Sequence, residues 1–247
     1  MDTRFNPTPI ETAPPSLENA CVILLGGGLA DWVGMADWMA LAGQVGRQRP
    51  VVIVPTGGPF VDTVREAEDM WRLQPGVVRR MTLLAMDSFA LMLHGIHPEI
   101  ATALNASEMR VNASAGRASV WLPSSLAAAR PDLIEDWDAT SDSLAAWLAV
   151  DVKAERLILV KAGACPCHGP GNPFASGGPD TTAMVRDGLL GPDFPAWRRR
   201  FQGAVWCVER ERVEEVAAAL ERGNGLGCPL AATPWRSTDQ GTGQGMT

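Results

Sequence analysis

The sequence predicts an α/β protein, a three-layer αβα sandwich around a mainly parallel sheet. Three observations carry that expectation. Four short runs, CVILL at 21–25, VVIVP at 51–55, RLILV at 156–160 and AVWCV at 204–208, are almost wholly apolar and rich in β-branched residues. Runs without polar alternation suit strands covered on both faces, as the strands of a parallel sheet are. Helical patterns lie between and after them, at 32–42, 60–71, 78–94, 141–148 and 213–222, so strand and helix alternate along the chain.

Residues 1–17 hold four prolines and few large apolar side chains, which predicts a flexible N-terminal arm rather than a packed element. One domain is expected over 18–232, and the polar, glycine-rich segment 233–247 reads as a disordered tail. The helix at 141–148 opens on SDS, good capping residues ahead of an Ala and Leu body. In ALNASEMRVNASAGRASVWLPSS, the pieces RVNAS and ASVWLP suggest an edge hairpin. The stretch 161–182 is rich in Gly and Pro without periodicity and reads as a long loop over an edge of the sheet.

Composition narrows the partners. The chain has 247 residues, 46% of them hydrophobic, and a formal net charge of −7. That balance argues against a surface for nucleic acid or anionic lipid, which needs a field of Lys and Arg. A small-molecule substrate or another protein fits better. No apolar run approaches a membrane span, and the N-terminus lacks the basic-then-apolar order of a signal peptide, so a cytoplasmic location is expected. Five cysteines, an odd number in a chain of this length, fit reduced thiols rather than a disulfide framework. Only Lys153 and Lys161 are lysines, and there is no Tyr.

Two strands end in glycines, LLGGGLAD at 24–31 and VPTGGPFVD at 54–62, each ahead of a helical pattern. Glycine there lets backbone N–H groups approach an oxyanion, and a helix N-terminus adds a favourable dipole. The same glycines also suit a tight strand-to-helix turn with no ligand. Neither loop fits GxxxxGK[ST] or GxGxxG.

Taken in order, LLGGGLADW, VVIVPTGGPFVDTVREAE, RRMTLLAMDSFALMLHGIHPEI, WDATSDSLAAWLA, RLILVKAG and DGLLGPDFPAW resemble the amino acid kinase family over roughly residues 20–210. Within it they are similar to the aspartate, glutamate or uridylate kinase-like members, and especially to the branch of the aminomethyl-furanmethanol-phosphate kinase of methanofuran synthesis. The resemblance implies the carbamate kinase-like fold and transfer of the γ-phosphoryl group of ATP, with Mg²⁺, to a small metabolite, here in C1-cofactor biosynthesis. It implies that Gly26, Gly27 and Gly28 hold phosphate, and that Thr56, Gly57, Gly58 and Arg65 hold the acceptor. Asp142 falls where an acid organises the catalytic cations and Mg²⁺, and Lys161 where nucleotide-binding residues cluster, so both are assigned to catalysis. A homodimer or a hetero-oligomer with a related subunit is implied as well.

The resemblance has a gap. The first loop of the family usually reads K-x-G-G-S, and here Leu24 stands at the Lys position and Gly28 at the Ser position. A preorganised cationic donor beside a migrating phosphoryl is typically worth about 2.7–4 kcal/mol. Lys161, Arg65, Arg186 or a metal at Asp142 are the candidates to replace it. The alternative is a degenerate member, a non-catalytic or regulatory subunit that binds a ligand or an active relative.

Other constellations are weaker. Cys165, Cys167 and His168 in ACPCHG are soft-metal ligand types, yet a C-x-C-H run needs a further ligand, such as Cys207, to complete a tetrahedron. An ordinary turn explains the same residues. His94 and His97 lie near a helix end, where imidazolium complements the dipole. WRRRF at 197–201 reads as a solvated basic face, and Glu135, Asp136 and Asp138 as a polar loop ahead of the Asp142 helix.

Overall fold

A computed structural model describes residues 17–125, 140–163, 165, 181–222 and 230. Residues 1–16 of the expected N-terminal arm, the acidic residues Glu135, Asp136 and Asp138, most of the loop after residue 163, and the tail lie outside the described residues, whereas Leu17 is buried and its amide donates to the Val152 carbonyl.

The elements follow the alternation of the sequence. In chain order they are β1 (Cys21–Leu25), α1 (Met35–Gly46), β2 (Val51–Val54), α2 (Gly58–Trp71), α3 (Pro75–Ile96), β3 (Ala101–Ala103), α4 (Ala106–Ser114), β4 (Ser119–Trp121), α5 (Ser141–Asp151), β5 (Arg156–Lys161), α6 (Thr181–Arg186), α7 (Phe194–Arg200), β6 (Ala204–Glu209) and α8 (Val213–Arg222). The six strands form one sheet in the order β3-β4-β2-β1-β5-β6, and every pairing is parallel. Side chains of β1 alternate across the sheet. Cys21, Ile23 and Leu25 join a core with α1, α8 and the C-terminal half of α3, whereas Val22 and Leu24 join a second core with α5 and α7. Both sides of the strand are buried, which is why its sequence shows no polar alternation.

Helix α5 sits deepest. Every residue from Asp142 to Ala149 is buried, so its composition is nearly uniform around the axis, and Trp147 stacks on Trp121 with ring centroids 6.0 Å apart. The outer helices α2 and α8 are amphipathic instead; Val64 is the buried residue of α2, and Val216, Ala219 and Leu220 those of α8.

The expected edge hairpin is absent. RVNAS lies inside α4, and β4 runs parallel to both β2 and β3. The cause is a capping box in NASE: the Asn105 side chain accepts from the amides of Ser107 and Glu108, while Glu108 takes the amide of Leu104. That box starts a helix where a hairpin strand would have to run. WRRRF is likewise more than a solvated face. Arg198 is buried and donates to the carbonyls of Leu230 and Phe201, and burial lowers its pKa from the usual guanidinium value. No helix among the described residues is long and apolar enough to cross a membrane.

Candidate functional site

The carboxyl ends of β1, β2, β5 and β6 lie side by side at one edge of the sheet, the edge where open parallel sheets place ligands. After β1 the chain makes a 3-10 turn over Gly27–Leu29, and after β2 it passes through Thr56 and Gly57 into α2. Between these turns lies a cleft of about 670 Å³, lined by Gly27, Gly28, Asp31, Thr56, Gly57 and Gly58, with Asp62 and Arg65 of α2 and Thr140 and Ser141 at the start of α5.

Glycine is required here by space as well as by backbone conformation. Gly58 has φ +50°, and a Cβ on it would lie 2.7 Å from the Phe89 ring. A Cβ on Gly28 would come within 2.7 Å of the Ala162 methyl. Gly28 is therefore fixed by packing against the end of β5, and a serine does not fit in its place. Gly26, grouped by sequence with the phosphate-holding glycines, does not line the cleft. Its amide donates to the Val160 carbonyl at 3.2 Å, continuing the ladder between β1 and β5.

α2 starts without a side-chain cap; Pro59 has no N–H and the Phe60 and Val61 amides donate to the Gly57 carbonyl, which leaves the Gly57 and Gly58 amides as the leading N–H groups at the cleft. Beside them the Thr56 hydroxyl is buried in a residue 6% exposed and has no hydrogen-bond partner. A buried hydroxyl without a partner costs about 1–3 kcal/mol, so it marks a place where an acceptor atom would be welcome.

Asp142 and Lys161 meet. Lys161 Nζ lies 2.5 Å from Asp142 Oδ1, with the side chains 18% and 10% exposed. The other carboxylate oxygen of Asp142 accepts the Gly191 amide at 3.3 Å. Gly191, from the DGLLGPDFP block, lies so close to Thr140 that no side chain could stand there, which is how the late loop reaches α5. Both oxygens of Asp142 are thus engaged, and the carboxylates lining the cleft itself are Asp31 and Asp62.

The candidate cations separate clearly. Leu24 is fully buried in the core beneath α5, so no cation can occupy that position without displacing apolar packing. Lys161 stands one strand over. It follows Leu157 and Leu159 in strand alternation, and these share the core of Leu24, so its side chain leaves the sheet on the same face. Arg65 lines the cleft but is exposed and paired with Asp62 at 2.9 Å. Arg186 is 78% exposed and contacts Asp187, and neither it nor Lys161 is among the residues that line the cleft.

Sequence reasoning overlooked Arg210, in the turn after β6. Its Nη1 donates to the Gly28 carbonyl at 2.7 Å and its guanidinium lies 5.1 Å from the centre of the Trp32 ring. The signal available was its position, directly after a strand that ends at the site edge.

Of the soft-metal candidates, Cys165 is described; Cys167 and His168 lie outside the described residues. Cys165 Sγ lies 2.7 Å from Cys207 Sγ, both residues buried. Among the described residues no group of three or more His, Cys, Asp or Glu side chains is placed to hold a metal.

Comparison with known sequence families and with curated proteins finds no match. Solved structures do match. The chain is similar to a uridylate kinase from Archaeoglobus fulgidus, with 17% identity and a TM-score of 0.61 over 85% of this chain and 99% of that one. It is similar to the UMP kinase of Ureaplasma parvum, at 12% identity and a TM-score of 0.60 over 88% of this chain and 99% of that one. The UMP kinase of Bacillus anthracis gives 15% identity and a TM-score of 0.59 over 88% and 97%. This is the amino acid kinase fold. At these identities the likeness is one of architecture: an all-parallel six-stranded sheet flanked by helices. In this chain, glycine turns follow β1 and β2, and Leu24 of β1 is part of the core.

Proposed function

We propose that the cleft binds the phosphates of ATP and that the protein transfers the γ-phosphoryl group to a small metabolite. The observation that carries this reading is the buried, unpartnered Thr56 hydroxyl beside the uncapped start of α2 and facing the first glycine turn. These groups offer hydrogen-bond donors to an anion and leave no side chain in its way. Gly27 and Gly28 would hold one phosphate; Thr56, Gly57 and Gly58 would hold the acceptor or the group in flight. Lys161, fixed by Asp142 next to the first turn, would supply the compact positive charge that Leu24 cannot. Mg²⁺, carried in with the nucleotide, would add charge on the phosphate oxygens and keep most of its waters, as this ion usually does. Asp31, not Asp142, is then the carboxylate open to it, since Asp142 is engaged by Lys161 and Gly191.

Two finer parts belong to the same proposal. An acceptor from C1-cofactor biosynthesis rests on resemblance alone, and mass spectrometry of co-purified ligand tests it. Association with a second subunit is supported by α3, whose Val77, Leu84 and Leu91, seven residues apart, are each about half exposed. Sedimentation of Leu84→Glu against the wild type tests that part.

The reading is tested by titrating Mg-ATP calorimetrically and following ADP formation. Heat of binding with ADP release on addition of an acceptor is expected. No heat and no thermal shift at millimolar Mg-ATP would remove it. The competing reading, a subunit that has lost the reaction, draws on the buried Leu24. It requires ligand binding without ADP formation in the presence of any co-purified acceptor.

A further inference from the structure

Gly28 contributes a carbonyl as well as an amide to the first glycine turn, and a carbonyl oxygen facing a phosphate repels it. In this structure that carbonyl is taken by Arg210 Nη1 at 2.7 Å. The peptide joining Gly28 to Leu29 is held at its other end too, because the Leu29 amide donates to the Gly26 carbonyl at 3.0 Å. Arg210 is itself fixed from four directions. Its guanidinium stacks on Trp32, its Nε bonds Glu211 at 2.8 Å, and its amide donates to the Lys161 carbonyl at 2.9 Å. Its carbonyl accepts the indole N–H of the fully buried Trp38 at 2.7 Å.

We infer that Arg210 is a positioning residue for the phosphate turn: it holds the Gly28 carbonyl away from the anion and ties the first glycine turn to the Lys161 strand. The physical need is specific to this loop. Glycine peptides rotate at little steric cost, so an unrestrained Gly28 peptide can turn its oxygen toward the cleft. A guanidinium meets the need better than an ammonium, because its planar fork bonds the carbonyl and Glu211 while its face lies on Trp32. Arg210 also brings a positive charge to the turn whose own lysine position has become Leu24. The inference rests on the phosphate-binding reading of the cleft, although its central contact is independent of any ligand.

The test uses Arg210→Met and Arg210→Lys in the full chain, with two readouts. Amide hydrogen exchange of a peptide spanning 26–32, without nucleotide, should speed up at least tenfold in Arg210→Met and less in Arg210→Lys. Mg-ATP affinity by calorimetry should fall about tenfold in Arg210→Met and be partly restored in Arg210→Lys, with the melting temperature changed little in either. Unchanged exchange overturns the inference. Weaker Mg-ATP binding without faster exchange overturns it as well, because Arg210 would then act by touching the nucleotide. If the wild type takes up no Mg-ATP, the phosphotransfer reading falls while the exchange experiment still decides the role of Arg210. Should Arg210→Met fail to fold, Arg210→Lys alone decides, and exchange identical to wild type counts against the inference.

Discussion

Replacing Lys161 by methionine removes the ammonium but keeps most of the apolar stem, leaving the Asp142 carboxylate 10% exposed with the Gly191 amide as its remaining partner. Removing one member of a buried ion pair typically destabilises by about 3–5 kcal/mol, because the remaining charge is stranded. The partial exposure of both side chains, 10% and 18%, places the expectation at the lower end, about 3 kcal/mol. For a chain of this size that lowers the melting temperature by roughly 6–12 °C. Replacing both partners, Asp142→Leu with Lys161→Met, should bring stability to within about 1 kcal/mol of the wild type, since an apolar pair of similar volume often matches a buried ion pair. Urea unfolding of the wild type, both single variants and the double variant completes the cycle. Turnover should behave differently: the double variant regains stability but stays about a hundred- to a thousandfold slower, because the preorganised cation is gone. If Lys161→Met unfolds within about 0.5 kcal/mol of the wild type, the pair behaves as a surface contact. The claim that Asp142 holds the Lys161 ammonium rigidly would then be refuted.

Thr56→Val should raise ligand-free stability by about 1 kcal/mol, since it replaces an unsatisfied buried hydroxyl by a methyl of the same shape, and should weaken Mg-ATP or phosphate binding. A stability loss in urea would show that the hydroxyl has a partner in the folded protein. Gly58→Ala should cost at least about 1–2 kcal/mol from the left-handed backbone alone, before the Phe89 contact is counted; an unchanged midpoint would contradict that geometry. Leu24→Lys with Gly28→Ser should lower stability by more than about 3 kcal/mol and fail to raise turnover, because the lysine would be buried unpaired and the serine would meet Ala162. Burial pushes the Cys21 thiol from 9.0 up to about 12, so the folded chain keeps a proton that the unfolded chain releases. This contribution is complete below pH 9 and is lost as pH rises toward 12, about 1 kcal/mol of it by pH 10. The stability difference between wild type and Cys21→Ala should therefore narrow between about pH 7.5 and pH 10, and a constant difference would contradict the assignment.

The fold was legible where local physics and tertiary context agree. CVILL, VVIV, RLILVK and AVWCVE are strands because each is covered on both faces, and that double burial is written into the absence of polar alternation. The β3–α4–β4 segment was less legible. Three-residue strands carry too little pattern, and the NASE capping box that starts α4 lies in the short stretch between them.

For the site, sequence by itself determined the ingredients: glycine turns after two parallel strands, an acid in the first turn of a core helix, and a lysine closing the next strand. Spacing along the chain cannot say which side chains share a face or compete for the same volume. Tertiary structure decided that Leu24 is core, that Gly26 belongs to the sheet ladder, and that Gly28 packs closely against Ala162. It also brought Lys161 onto Asp142 and Arg210 onto Gly28, across 19 and 182 residues of chain. The parallel sheet is the physical reason: it gathers the carboxyl ends of β1, β2, β5 and β6 at one edge, whatever their separation in sequence.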